Sequence, residues 1–185
     1  MTTPRPLLSL TSLLTLALAL STVALPASAG STELDARVRA ALERFYSEVP
    51  PAKELASKSR GMLVFPRVYK AGFWFGGGVG DGALLVGGQT VQYYRTTSLS
   101  FGLSFGGQGR TEIILFMTDT SLAQFRASSG WQAGVDGSIA VVEFGTGTTL
   151  NTDTVRQPII GFVFDNKGLM ADLSFKGNKY WKITL

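Results

Sequence analysis

The stretch of residues 97–105 alternates strictly between apolar and small polar side chains. Leucine or phenylalanine occupies positions 99, 101, 103 and 105, and serine or glycine occupies the even positions from 98 to 104. Successive side chains of a β-strand point to opposite faces of a sheet, so this pattern predicts a strand with one buried face. Because a lone strand is unstable in water, other segments of the chain must pair with it.

Apolar runs between turn signals predict the partner strands. Residues 113–117 form a continuous apolar run that is typical of a strand buried on both faces. The sequence DNKG at 165–168 predicts a hairpin turn. The glycine-rich run GGGVGDG at 76–82 is interpreted as the turn between two strands within 72–86. Further strands are predicted at 62–65, 131–135, 138–144, 159–164, 169–175 and about 180–183.

Apolar residues recur at helical spacing over residues 32–48. Thr32 and Asp35 form a candidate N-cap, and two prolines follow the segment. The predicted helix is amphipathic, and its three arginines against four acidic residues give a net charge of −1. It therefore lacks the basic polar face of a membrane-surface helix, and we expect it to pack on the core.

Two shorter helices are predicted further along the chain. One starts at Pro51, a residue that suits the first turn of a helix, and ends before Gly61. The other is capped by Thr118 or Asp119 and runs to about Ser128. Strands punctuated by separate helices predict a single compact α+β domain, built mainly on an antiparallel sheet that is either open or barrel-like, with two to three helices.

The first 29 residues differ from the rest of the chain. Arg5 is their single charge, residues 7–25 are mainly apolar, and the small residues Ala27, Ser28 and Ala29 suit a cleavage site. We expect a secretory signal peptide over 1–29, a domain over 30–185 and a periplasmic or secreted location. A retained membrane anchor is the alternative. Cysteine is absent, so disulfides and a lipoprotein cysteine are excluded.

The absence of both histidine and cysteine removes the commonest general base, the commonest zinc ligands and the thiol nucleophile. The glycine run 76–82 lacks the Gly-Lys-Ser/Thr ending of a phosphate loop and precedes a predicted strand, not a helix. We therefore predict no enzymatic activity, no metal site and no cofactor. A catalytic carboxylate pair is the remaining option, although no spacing brings two of the candidates together: Asp81, Glu112, Asp119, Asp136, Glu143, Asp153, Asp165 and Asp172.

A basic segment follows the second predicted helix. Five cations stand there against the single acid Glu54, and each could contribute about 1 kcal/mol at an anionic membrane. An ordinary solvated surface is the alternative interpretation. The predicted lipid-binding residues are Lys53, Lys58, Arg60, Arg67 and Lys70.

Three stretches of the chain resemble the SYLF-domain family. They read AKELASKSRGMLVFPRVYKAGFWFGGGVGDGALL, then TEIILFMTDTSLAQFRASSGWQAGVDGSIAVVEFG, then PIIGFVFDNKGLMADLSFKGNKYWKI, and they cover about residues 52–183 in the same order. The family includes yeast cortical-actin regulators, animal phosphoinositide-binding adaptors and secreted bacterial proteins. The resemblance implies a compact binding domain whose eukaryotic members contact phosphoinositide membranes through basic residues.

The sequence thus leads to a hypothesis of a secreted, non-enzymatic SYLF-type domain. We expect it to recognise anionic phospholipid or phosphate-bearing headgroups through the five predicted cations, at a membrane surface and without nucleic acid. The alternative is an envelope protein-interaction or scaffolding module, similar to the actin regulators among the eukaryotic relatives.

Overall fold

A computed structural model describes residues 27–71, 75–101, 109–142, 155–165, 168–169 and 175–185. Within these ranges the helices are α1 (Ala27–Glu48), α2 (Ala52–Lys58) and α3 (Asp119–Ala127). The strands are β1 (Gly61–Ala71), β2 (Phe75–Val86), β3 (Gln89–Phe101), β4 (Gly109–Phe116), β5 (Trp131–Gln132), β6 (Ala140–Val141), β7 (Ile159–Asp165), β8 (Gly168–Leu169) and β9 (Lys179–Ile183). The predicted α+β class is confirmed.

The strands form one curled sheet. Their order is β5-β9-β3-β2-β1-β4-β7-β6, with β8 paired to β7. Neighbouring strands run antiparallel except β6 and β7, which are parallel. Trp131 of β5 and Ile159 of β7 come from opposite ends of this order, yet both approach Gly137: a Cβ on Gly137 would lie 2.8 Å from Trp131 and 3.6 Å from Ile159. The two ends therefore curl toward each other, which is the barrel-like form of the predicted sheet.

Each face of the sheet has its own apolar core. On the outer face lies α1, whose buried Phe45 packs against Phe162 and Phe164 of β7 with ring centroids 4.8 and 6.4 Å apart. The inner face is covered by α3, whose Phe125 ring lies 4.9 Å from Tyr94 and 4.8 Å from Phe116. Burying one such ring contributes about 1.5–3 kcal/mol, so both helices are fixed by the sheet that they cover.

Helix α1 confirms the first predicted helix but begins at Ala27 instead of residue 32. The interpretation of Thr32 and Asp35 as an N-cap is wrong, because both residues lie inside the helix. Asp35 has a tertiary role: its carboxylate oxygens accept hydrogen bonds of 3.0 Å from Thr90 and 3.0 Å from Tyr93, both on β3. Burial, followed by this hydrogen bond and charge, raises the pKa of Tyr93.

The glycine-rich run 76–82 is not a hairpin turn, and that prediction is wrong. These residues belong to the continuous strand β2, and the turn to β3 lies at Gly87 and Gly88, whose φ angles are +58° and +79°. Within the strand, glycine makes room for β1: a Cβ on Gly82 would lie 2.4 Å from the Val64 carbonyl oxygen and 2.5 Å from the Phe65 ring. The run therefore permits close packing of β1 on β2.

Most other predicted elements are present with altered lengths. The strands β1, β4, β7 and β9 and the helices α2 and α3 are confirmed, and Asp165 pairs with Gly168 as the DNKG hairpin requires. Strand β3 begins at Gln89, eight residues before the predicted start at 97. The prediction missed residues 89–96 because apolar and polar residues alternate less clearly there. The predicted strands at 131–135 and 138–144 shrink to the two-residue β5 and β6 in the described part of the chain. Predicted strand residues 72–74, 102–105, 143–144 and 170–174 lie outside the described ranges.

Among the described residues, no helix has the length and apolar character needed to cross a membrane. Residues 1–26 lie outside the described ranges. The signal peptide over 1–29, the alternative anchor and the periplasmic or secreted location therefore stay predictions.

Candidate functional site

Two of the five predicted cations line a common groove. Lys53 of α2 and Arg60, which directly precedes β1, border a hollow of about 410 Å³ together with Tyr46, Met62 and the turn between β2 and β3. Arg60 is not free of acidic neighbours, because its Nε lies 3.4 Å from the Asp119 carboxylate. We call this hollow the α2 groove.

Neither Lys58 nor Lys70 is among the described residues that line the α2 groove. The Lys58 ammonium pairs with Glu54 at 2.5 Å on the exposed face of α2. This hydrogen bond, followed by the positive charge, lowers the pKa of the Glu54 carboxyl. Lys70 lies in β1, where its backbone is paired with Gly78, but its side chain falls outside the described part of the structure.

Arg67 lies away from the α2 groove. It stands six residues beyond Gly61 on β1, which corresponds to about 20 Å along a strand. There it borders two adjoining hollows of about 390 and 270 Å³, beside Pro66. The described structure thus brings Lys53 and Arg60 together and places Arg67 in a separate site.

Two arginines of α1 join Arg67. Arg37 borders both hollows and Arg44 borders one of them. The two are seven residues apart, so they share one side of the helix. Tyr46 of the α2 groove follows Arg44 by two residues, about 200° around the helix axis, and the two sites therefore lie on opposite sides of α1. We call the site formed by Arg37, Arg44 and Arg67 the arginine groove.

The three arginines differ in how strongly acidic groups compensate them. Arg44 donates two hydrogen bonds of 3.0 Å to Glu48. Arg37 is 4.0 Å from Glu33, with both side chains more than half exposed. Arg67 has no acidic partner among the described residues; its guanidinium carbon lies 5.6 Å from the Tyr69 ring centroid, in the arrangement of a cation–π contact. Arg67 is therefore the cation of this groove most open to an anion.

The rim of the arginine groove combines apolar and ionic features. Tyr69 and Val79 are directly opposite each other on β1 and β2, and each is 48% exposed. Beside them Arg95 donates two hydrogen bonds to Asp81, of 2.6 and 2.9 Å, which raise the pKa of Arg95. An exposed aromatic and a valine next to cations form a surface that suits the boundary between water and lipid.

Sequence reasoning missed the contribution of α1. The net charge of the helix over residues 32–48 is negative, but a net charge does not show where each charged side chain lies. Asp35 faces β3, whereas Arg37 and Arg44 face β1. The seven-residue spacing of these two arginines was the available signal. Only the position of Arg67 on the adjacent strand makes the spacing meaningful.

Three of the candidate carboxylates pair with arginines, and none belongs to a metal cluster among the described residues. Asp81 and Asp119 each pair with an arginine, and the buried Glu112 pairs with Arg110. No group of three or more acidic residues is arranged to hold a metal ion within the described ranges. The candidate carboxylates Glu143, Asp153 and Asp172 lie outside those ranges.

Comparison with known families identifies a match over part of the chain. Residues 97–182, from within β3 to β9, match the Ysc84 family model, described as Las17-binding protein actin regulator. The chain carries a SYLF-family domain. This is a family of binding domains, and the match begins after α1, β1 and β2, so Arg37, Arg44 and Arg67 lie outside the matched residues. A comparison with curated proteins finds no match to this chain.

Proposed function

We propose that this SYLF-family protein binds anionic, phosphate-bearing lipid headgroups through cations on both sides of α1. The observation that carries the proposal is Arg67, which is exposed beside Arg37 and has no acidic partner in the described part of the chain. Guanidinium groups suit phosphate because their planar donors can form two parallel hydrogen bonds with its oxygens. The expected secretory signal would direct this activity to an extracytoplasmic membrane.

The five predicted cations have different surroundings, so their expected contributions to lipid binding differ. Arg67 has the primary role, with Arg37 and Arg44 as additional contacts. Lys53 and Arg60 of the α2 groove form a second cationic contact on the other side of α1. Lys58, which is paired with Glu54, contributes less, and Lys70 retains its proposed role through its place on the same strand as Arg67.

The apolar rim supports a membrane partner over a soluble one. Tyr69 and Val79 expose apolar surface next to the cations of the arginine groove. A lipid surface offers anionic headgroups and hydrocarbon within a few ångströms of one another, so it can satisfy both kinds of side chain at once. The second candidate is a protein partner, because the family description names a Las17-binding actin regulator.

Vesicle co-sedimentation tests the proposal. The protein is mixed with phosphatidylcholine vesicles with or without phosphatidylglycerol, at low and high salt. Binding is expected on the anionic vesicles alone and is expected to fall steeply as salt shortens the Debye length from about 10 Å at 0.1 M to about 3 Å at 1 M. Absence of binding to anionic vesicles would reject the lipid proposal and favour the protein partner.

Matched double variants locate the site. At about 1 kcal/mol per basic residue, R37Q/R67Q is expected to lower the partition coefficient about 30-fold. R156Q/K179Q removes the same charge from exposed positions elsewhere and is expected to have a much smaller effect. K53Q/R60Q measures the α2 groove. Equal losses for R37Q/R67Q and R156Q/K179Q would mean that only net charge matters and that the arginine groove is not the site.

A pair of valine variants tests the apolar rim separately. Val79 and Val91 are 48% and 45% exposed, but Val91 lies on β3 away from the arginine groove. V79S is expected to weaken vesicle binding at high salt, where the ionic contribution is screened, whereas V91S is expected to leave it unchanged. Similar binding by both variants would remove the rim from the proposed site.

A further inference from the structure

A third cationic groove lies on the opposite face of the sheet. It has a volume of about 320 Å³ and is formed where α3 covers β3 and β9. Arg126 of α3 and Lys182 of β9 project into it from different elements, and Tyr94 of β3 is part of its wall. Its position on the α3 side separates it from the arginine groove and from the α2 groove, which both flank α1.

The described residues that line this groove include two cations and no acidic residue. Lys182 Nζ donates a hydrogen bond of 2.7 Å to the Arg126 carbonyl oxygen, which holds the ammonium at the C-terminal end of α3 and offsets the partial negative charge there. The ammonium keeps two further donors. Arg126 is exposed, and no acidic residue lines the groove within the described structure. Two cations held close together favour an anion between them.

Tyr94 provides an independent indication of a ligand. The residue is 1% exposed, and its hydroxyl oxygen is buried without a hydrogen bond to any described residue. Such a buried, unpaired hydroxyl is costly for a folded protein unless a partner arrives. Burial raises the pKa of Tyr94, while the charge of Arg126 acts in the opposite direction, so the phenol keeps its proton and is a hydrogen-bond donor.

We propose that the groove between α3, β3 and β9 binds a phosphate group, either inorganic phosphate or a phosphate monoester. The Arg126 fork can donate two parallel hydrogen bonds to its oxygens, and the Lys182 ammonium can donate another. The Tyr94 hydroxyl oxygen is covered in the free protein, so a small shift of the groove lining accompanies the hydrogen bond that it donates to a phosphate oxygen. The volume of about 320 Å³ leaves room for a small substituent on the phosphate.

Calorimetric titration of the full chain with inorganic phosphate tests the site. R126Q and K182Q are each expected to weaken binding on the order of tenfold, the value of one hydrogen bond to a charged group. R156Q and K179Q are the matched controls; Lys179 lies on the same strand as Lys182 but points to the other face, since the two are three residues apart. No phosphate-dependent heat, or equal losses in variants and controls, would overturn the proposal.

Replacement of Tyr94 by phenylalanine distinguishes binding from folding. Y94F removes a hydroxyl that is unpaired in the described structure, so the free protein is expected to unfold at the same or a higher urea concentration. Phosphate affinity is expected to fall several-fold in the same variant, because a donor to the ligand is lost. Unchanged affinity in a Y94F protein of wild-type stability would remove Tyr94 from the site and overturn the proposal as stated.

The source of the phosphate is decided by a second arm with vesicles that contain phosphatidic acid, whose headgroup is a phosphate monoester. This arm uses R37Q/R67Q as the parent so that the arginine groove contributes less to vesicle binding. Loss of vesicle binding on adding R126Q/K182Q identifies a lipid headgroup as an acceptable ligand. If the protein binds inorganic phosphate in the calorimetric titration but R126Q/K182Q does not reduce vesicle binding, the ligand of the groove is a soluble phosphate. Since R126Q and K182Q leave the arginine groove unchanged, the losses of phosphate affinity that they cause are independent of the proposed lipid-binding function.

Discussion

The Arg110 guanidinium and the Glu112 carboxylate form an ion pair inside the curled sheet, with Arg110 Nε 2.6 Å from Glu112 Oε1. Their side chains are only 7% and 0% exposed. The Asn178 amide nitrogen lies 3.5 Å from the second Glu112 oxygen and donates a 3.3 Å hydrogen bond to the Tyr180 hydroxyl. The buried pair on β4 is thereby joined to β9 across the interior.

Replacing Glu112 by leucine is expected to destabilise the protein by about 3–5 kcal/mol, because it leaves the Arg110 charge buried without its carboxylate. Urea unfolding measures the loss. The double variant R110M/E112L, which removes both charges, is expected to recover much of it. E54Q, in an exposed pair with Lys58, is the control and is expected to leave the midpoint of urea unfolding nearly unchanged. If E112L were as stable as E54Q, the buried pair would not be a stabilising element.

Ionisation of the buried Tyr180 is expected to lower the stability of the protein at alkaline pH. Burial, and next the charge of Glu112, raise its pKa well above the usual tyrosine range, whereas Arg110 acts in the opposite direction. A pKa that is higher in the folded state than in the unfolded state means that the contribution is complete below about pH 10 and is lost as the pH rises further. Unfolding free energies measured from about pH 8 to about pH 11 should therefore decline, and less steeply in Y180F.

Y69F is the control for this pH series, because Tyr69 is 48% exposed. It is expected to retain the wild-type slope. Tyr94 also has a raised pKa, so some decline should persist in Y180F. Superimposable curves for Y180F and the wild type would contradict the prediction.

Gly82 is expected not to tolerate a side chain. In G82A the new methyl group would meet the Val64 carbonyl oxygen and the Phe65 ring, so β1 and β2 would have to separate, at a cost of about 1–3 kcal/mol. Thermal unfolding compared with G130A is the measurement, because a Cβ on Gly130 has nothing within 4 Å. A G82A protein that unfolds at the same temperature as G130A would show that the strands accommodate the methyl group.

The start of α3 depends on Thr118. Its hydroxyl oxygen accepts a 3.1 Å hydrogen bond from the Ser121 backbone amide, and T118A is expected to cost about 0.5–2 kcal/mol by removing this acceptor. T118S keeps the acceptor and is expected to lie within a few tenths of the wild-type unfolding free energy. Equal losses in T118A and T118S would point to the threonine methyl group instead of the cap.

Local patterns were sufficient for much of the secondary structure. The apolar spacing of α1, the continuous run of β4 and the cap of α3 each depend on residues that are close together in the chain. These elements formed at the predicted places, although α1 and β4 begin earlier than predicted. The glycine run failed because its cause is not local. Gly82 accommodates Phe65, seventeen residues earlier, and no turn signal distinguishes that role from a hairpin.

The candidate site shows the same division. A cluster of cations between residues 53 and 70 was visible in the sequence, but β1 is extended and separates Arg60 from Arg67 by about 20 Å. Helix α1 then supplies Arg37 and Arg44 to the Arg67 side, although its total charge suggested no such role.

Residue periodicity and turn chemistry were enough to predict an α+β domain, and the lack of histidine and cysteine removed the chemistry that depends on those two residues. Periodicity and turn chemistry act over a few neighbouring residues, and the physics of a strand or a helix depends mainly on those neighbours. The curl of the sheet and the crossing of α1 decided which cations share a groove and which carboxylate is buried against Arg110. They also decided that the Tyr94 hydroxyl has no hydrogen-bond partner among the described residues. These features depend on contacts between residues far apart in the chain, which charge counts and residue spacing do not reveal.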